Sequence, residues 1–186
     1  MRLTKRSHCT LLGAIAALAG LAAAGAPPAP PGMPALVILV RHAEKSTEPR
    51  DDPALTAAGR DRARALAAAL ANAGVTAIVT SDRRRTIETA APIAKARGLT
   101  PVAIGRPDGS LDGHVAAVVA EVLRHPGGVV LVVGHTDTLP AIVRALGAAS
   151  IGEMSDSEFG NLFLLSPGPD APRLVRTRYG APDPGR

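Results

Sequence analysis

The sequence predicts an α/β fold: a three-layer sandwich with a mostly parallel central sheet, helices on both faces and a late antiparallel strand pair. Three observations predict it. Leu36-Val37-Ile38-Leu39-Val40 and Val129-Val130-Leu131-Val132-Val133 are apolar and rich in β-branched residues, with no polar alternation. Strands buried on both faces of a parallel sheet have this pattern. Helical stretches bounded by cap residues and glycines alternate with the strand-like runs. Finally, Asn161–Leu165 and Arg173–Tyr179 flank the turn-rich Ser166-Pro167-Gly168-Pro169, which predicts an antiparallel pair.

The elements follow in order. The strand at 36–40 opens the sheet. A helix over Thr56–Ala71 has Thr56 as N-cap and Gly74 just beyond its end. Ala77-Ile78-Val79-Thr80-Ser81 reads as a strand, with a helix beginning near Ser81, continuing over Thr86–Ala96 and ending at Gly98. Pro101–Ile104 is a short strand. A helix over Leu111–Arg124 is stopped by Pro126-Gly127-Gly128, and Asp112 reads as a turn or N-cap aspartate. The strand at 129–133 leads to Gly134-His135-Thr136-Asp137-Thr138, with Thr and Asp as cap candidates for a helix over Thr138–Leu146.

The strand ends carry the unusual residues. The first strand runs into Arg41-His42-Ala43-Glu44-Lys45 and the 129–133 strand into Gly134-His135. Open α/β sheets bind their ligands at such ends. A guanidinium beside an imidazole suits a phosphate better than a metal. Arg83-Arg84-Arg85 opens a helix, where cations oppose the macrodipole by roughly 0.3–1 kcal/mol each. One of the three is explained by a bound anion; the other two read as a solvated basic patch. A zinc set of His42, Glu44, His135 and Asp137 is the rival, but adjacent guanidinium groups repel a dication. His8, His114 and His125 read as structural or solvated histidines.

Composition frames these motifs. The start, Met1-Arg2-Leu3-Thr4-Lys5-Arg6, is basic, Leu11–Ala23 is apolar, and Ala24-Gly25-Ala26 fits a small-x-small cleavage site. Residues 1–26 therefore read as a secretory signal peptide, which implies a periplasmic or secreted protein. The apolar stretch is shorter than the about 20 residues of a membrane span, so no stable membrane insertion is expected after cleavage. An uncleaved N-terminal anchor is the alternative. Residues 27–34 form a Pro-rich linker and 35–186 a single domain. Cleavage removes Arg2, Lys5 and Arg6 and no acidic residue, so the formal charge falls from +5 to +2. With two Phe, one Tyr and no Trp, base stacking is poorly served and nucleic acid is not an expected partner. The one cysteine, Cys9, lies in the signal and leaves the domain without thiol chemistry.

Four motifs, Arg41-His42-Ala43-Glu44, Leu55-Thr56-Ala57-Ala58-Gly59, Ser81 through Ala90 and Gly134-His135-Thr136, stand in an order and spacing that resembles the histidine phosphatase superfamily. Within it the chain looks like the short, compact members of the phosphoglycerate-mutase-like group. The resemblance implies that His42 is the phosphorylated nucleophile and that Arg41, Arg85 and His135 line the phosphate pocket. Arg85 is chosen because it lies four residues after Ser81 and four before Thr89, as in the family's Ser-x-x-x-Arg-x-x-x-Thr-Ala pattern. It implies hydrolysis of a phosphomonoester or phosphoprotein with no metal or other cofactor. Two departures stand out. Glu88 replaces the more usual glutamine, and no residue clearly matches the acid that many members use to protonate the leaving group. Asp108 is the first candidate for that acid, with Asp112 and Glu44 behind it. Two alternatives remain: a phosphohistidine phosphatase of the small bacterial type, and a non-catalytic phosphate-binding domain.

Overall fold

The computed structural model describes residues 32–168 and 171–183. The segment 1–26 expected to be a signal peptide, and most of the expected 27–34 linker, lie outside the described residues. Among the described residues, no helix is long and apolar enough to cross a membrane.

Among the described residues, six strands and four helices alternate as expected: β1 (Leu36–Arg41), α1 (Ala57–Ala69), β2 (Ala77–Ser81), α2 (Arg84–Arg97), β3 (Val102–Ile104), α3 (Leu111–Leu123), β4 (Val129–Gly134), α4 (Thr138–Ala145), β5 (Asn161–Ser166) and β6 (Arg173–Arg178). They form one sheet of order β3-β2-β4-β1-β5-β6. β3, β2, β4 and β1 are parallel; β5 runs antiparallel to β1, and β6 antiparallel to β5.

The two-residue period of the strands divides the core. Ile38, Val40, Ile78, Leu131 and Val133 face one side and pack with Leu66 of α1 and Ile93 of α2. Val37, Leu39, Val79, Val130 and Val132 face the other, against Val118 and Val122 of α3 and Leu139 and Ile142 of α4. Both faces are covered, which is why β1 and β4 are apolar throughout.

Several boundaries differ from the sequence reading, each for a local reason. Thr56 does cap α1, its hydroxyl accepting from Gly59 N at 3.0 Å. Gly59 is required there, because a Cβ would lie 2.2 Å from the Glu44 carbonyl oxygen. α2 starts at Arg84, not near Ser81, because Ser81 pairs as the last β2 residue with Ile104 of β3. α3 is capped by Ser110 rather than Asp112, the Ser110 hydroxyl accepting from Gly113 N at 2.9 Å. At α4, Asp137 occupies the cap position without a side-chain cap bond. The Thr138 hydroxyl instead accepts from His135 N at 2.9 Å. Gly134 permits that tight turn, since a Cβ would meet Leu139 and Thr138 side-chain atoms at 2.9 Å.

Strand order places the site. β1 and β4 are neighbours in register, with Arg41 opposite Gly134, and β2 flanks β4 on its other side. The residues that end these three strands therefore emerge side by side at their carboxyl ends.

Candidate active site

Arg41, His42, Ser81, Arg85 and His135 line one cleft of about 660 Å³ at that edge, so four of the five site residues inferred from sequence converge. Backbone bonds set the nucleophile candidate in place. His42 N donates to Gly134 O at 2.9 Å, and Ala43 N donates to the Thr89 hydroxyl, also at 2.9 Å. That hydroxyl donates in turn to Arg85 O at 2.7 Å, tying the loop after β1 to the first turns of α2. Glu88 supports the same junction: its carboxylate accepts from Leu55 N at 2.7 Å and from Arg84 Nε at 2.6 Å. A carboxylate therefore does useful work where a glutamine is more usual.

The His42 ring lies 2.8 Å from the Ala43 carbonyl through Nδ1. A carbonyl can only accept, so Nδ1 carries the proton and Nε2 keeps its lone pair. Burial pushes the His42 pKa down to about 3, with His135, Arg41 and Arg85 adding to the effect against the Ala43 hydrogen bond. The imidazole is thus neutral at physiological pH and competent as a nucleophile.

His135 sits 5.3 Å from His42 between ring centroids. Arg85 Nη2 approaches its Nδ1 at 3.4 Å, and its Nε2 lies 2.9 Å from the Ser81 hydroxyl. An arginine only donates, so Nδ1 accepts and Nε2–H donates to Ser81. His135, which the resemblance places in the lining of the phosphate pocket, directs that proton to Ser81 and stands beside Arg85. Burial, then Arg85, also lowers the His135 pKa to about 3.

Arg41 is anchored away from the strand. Its Nη1 donates to the carbonyls of Ser155, Asp156 and Glu158 at 3.0, 2.9 and 3.3 Å, and its guanidinium lies 4.3 Å from the Phe159 ring centre. The Nε atoms of Arg41 and Arg85 are buried without a hydrogen-bond partner among the described residues. Two guanidinium groups beside a neutral histidine are chemically suited to hold an anion.

The remaining candidates separate clearly. Asp108 does not join the cluster. It is exposed and accepts from the Ser110 hydroxyl and Ser110 N at 2.7 and 2.9 Å, which hold its carboxyl below the usual carboxylate range. That is a turn aspartate, poorly suited to donate a proton. Glu44 is bound by Arg62 on the far side of the loop, at 2.8–3.0 Å, so it is neither the acid nor part of a zinc set. Among the described residues, no three His, Cys, Asp or Glu side chains are arranged to hold a metal ion. Of the three consecutive arginines, Arg84 pairs with Glu88, Arg83 stands at the cleft rim beside Asp82, and only Arg85 reaches the histidines.

Some residues of the cleft were not singled out from sequence. His114 is 3 % exposed, lines the cleft and donates from Nδ1 to Gly105 O at 2.8 Å. Its place in the first turn of α3, after a loop following β3, was the available signal. Lys45 and Arg106 also stand at the rim, Arg106 paired with Asp137 at 3.1 Å.

Both depressed histidines have a consequence for stability. The folded state binds fewer protons than the unfolded chain, whose histidines titrate near 6.5. Stability should therefore be complete above that value and fall as pH drops from about 6.5 toward about 3. Between pH 7 and 5 each histidine should cost on the order of 2 kcal/mol. Thermal unfolding at the two pH values tests this, and His42→Ala should weaken the dependence. An unchanged midpoint would contradict it.

Fold and site together define an α/β protein with a cleft lined by two arginines and two buried histidines at the carboxyl ends of its parallel strands. Residues 37–106 match the model of the histidine phosphatase superfamily (branch 1). Among solved structures, the protein histidine phosphatase SixA complexed with tungstate aligns with a TM-score of 0.62 at 16% identity, covering 77% of this chain and 96% of that one. A SixA-type protein from Agrobacterium tumefaciens aligns with a TM-score of 0.58 at 24% identity, covering 81% and 99%. A mycobacterial glucosyl-3-phosphoglycerate phosphatase bound to inorganic phosphate aligns with a TM-score of 0.56 at 20% identity, covering 78% and 97%. At these identities the structural likeness concerns the fold. No curated protein matches the chain in sequence.

Proposed function

We propose that the protein is a secreted phosphatase that hydrolyses a phosphomonoester or phosphoprotein through a phosphohistidine on His42, without a metal. The observation that carries this reading is the His42 tautomer: the Ala43 carbonyl takes Nδ1–H and leaves Nε2 free in a cleft with Arg41 and Arg85. Nε2 attacks phosphorus, the ester P–O bond breaks, and the leaving oxygen takes a proton from water. Water then attacks the phosphorus of the phosphohistidine, the P–N bond breaks, and inorganic phosphate departs as Nε2 regains its lone pair. Arg41 and Arg85 bind the phosphoryl oxygens and stabilise charge as it spreads over them. The arginines supply the positive charge that a metal would otherwise bring.

The direct test is hydrolysis of an aryl phosphate by the purified protein in a strong chelator. Activity should persist, and orthovanadate or tungstate should inhibit competitively. Loss of activity on chelation, restored by a divalent ion, would overturn the metal-free reading. Vanadate binding without turnover would establish a non-catalytic phosphate-binding domain instead.

A phosphohistidine phosphatase is the second reading, favoured by the compact fold shared with the SixA structures. The signal-like N-terminus speaks for a substrate met outside the cytoplasm. N-terminal sequencing of protein from the periplasm or medium should find Pro27 first. A full-length chain in the membrane fraction would mean an anchor, and a soluble full-length cytoplasmic chain would defeat export.

A further inference from the structure

Arg41 is held by a segment that belongs to no strand or helix: the Ser155, Asp156 and Glu158 carbonyls all accept from its Nη1, and Phe159 lies under its guanidinium. The direction of the arginine fork therefore depends on where this segment sits. Ser155 N donates to Glu158 Oε2 at 3.1 Å, which folds the segment on itself. Two ties join it to the body of the domain: Arg176 of β6 donates to Glu158 Oε1 at 3.4 Å, and Asp183, beyond β6, takes its backbone N–H groups. Phe159 N and Gly160 N both donate to Asp183 Oδ1, at 3.0 and 2.9 Å. Asp183 is 2 % exposed, its second oxygen pairs with Arg178, and Arg62 Nη2 lies 3.5 Å from Oδ1. Arg62 also binds Glu44, in the same loop as His42, and the carbonyls of Tyr179 and Ala181.

We propose that Asp183 is a positioning residue for the phosphoryl pocket, acting through the 155–160 segment on Arg41. A buried carboxylate receiving two backbone N–H groups is a strong, charge-assisted anchor. Its removal leaves two N–H donors unpaired in a largely buried setting, which the segment relieves by moving. Arg41 then loses the carbonyl arrangement that aims it. The inference rests on the proposed role of Arg41 in gripping a phosphoryl group.

Orthovanadate binding to the full chain, with unfolding followed in parallel, tests it through a double-mutant cycle of D183A and R41A. D183A should raise the vanadate Kd about 10–100-fold in the wild-type background, at temperatures where the variant is fully folded. In the R41A background the same change should add less than about twofold, because the group being positioned is gone. D183N keeps an acceptor oxygen for the two N–H groups and should recover most of the affinity, although the lost charge lowers its Tm. Wild-type affinity in folded D183A, or an equal loss in both backgrounds, would overturn the proposal while leaving the pocket reading intact. No vanadate binding by the wild-type protein would overturn the pocket reading, and the proposal with it. Should D183A not fold, D183S, which is too short to reach the segment, carries the same comparison in both backgrounds.

Discussion

Replacing His42 with alanine is expected to lower turnover on the order of 10⁴-fold or more while leaving the fold intact. The size of the loss follows from the role: without Nε2 no covalent intermediate forms, and only binding and charge stabilisation remain. The fold should survive because the ring makes one hydrogen bond, to the neighbouring Ala43 carbonyl, while the backbone bond from His42 N to Gly134 O is untouched. Brief reaction with labelled substrate followed by quenching should place an acid-labile, base-stable phosphoryl group on His42 of the wild-type protein. Retained activity in the folded variant would sink the mechanism.

The second large effect concerns the leaving group. Each cleft carboxylate has an arginine partner: Asp82 with Arg83, Asp137 with Arg106 and Asp156 with Arg41. Asp108 is held by Ser110 outside the cleft lining, and Glu44 by Arg62. None of these stands as a proton donor to the departing oxygen. A general acid contributes about 10²–10⁴-fold, mostly where the leaving group is a basic alkoxide. Aryl phosphates, which leave as stabilised phenolates, should therefore be hydrolysed faster than alkyl or sugar phosphates by about that factor. Asp108→Asn should leave the ratio unchanged. Comparable rates on both substrate types would reveal an acid in the cleft, and a collapse of alkyl activity alone in Asp108→Asn would restore Asp108 to that role.

How much was legible in the sequence depends on the range of the interaction. β1 and β4 were readable because strands covered on both faces must be apolar throughout, a requirement each strand meets by itself. Thr56 was readable as a cap because its partner, Gly59 N, is three residues away. Arg41, His42 and His135 were readable because the carboxyl ends of neighbouring parallel strands must share one edge of the sheet, whereas Arg85, in α2, was picked out only by the resemblance to a family pattern. Asp108 was misplaced because a loop aspartate near the third strand can serve the cleft or its own turn, and only the Ser110 bonds decide between them. His114 was read as structural or solvated because its one local signal, a place in the first turn of the helix after the third strand, does not by itself tell a buried cleft histidine from a solvated one.

The sequence by itself determined the order of elements, the two-sided sheet and the identity of the strand-end residues, since these follow from short-range periodicity, caps and chain connectivity. Only the tertiary structure decided the protonation pattern of His42 and His135, the burial that keeps both neutral, and the anchoring of Arg41 by a segment more than a hundred residues away. Those properties depend on which groups become neighbours after folding. Desolvation and long-range hydrogen bonds leave no pattern in the residues that lie next to one another along the chain.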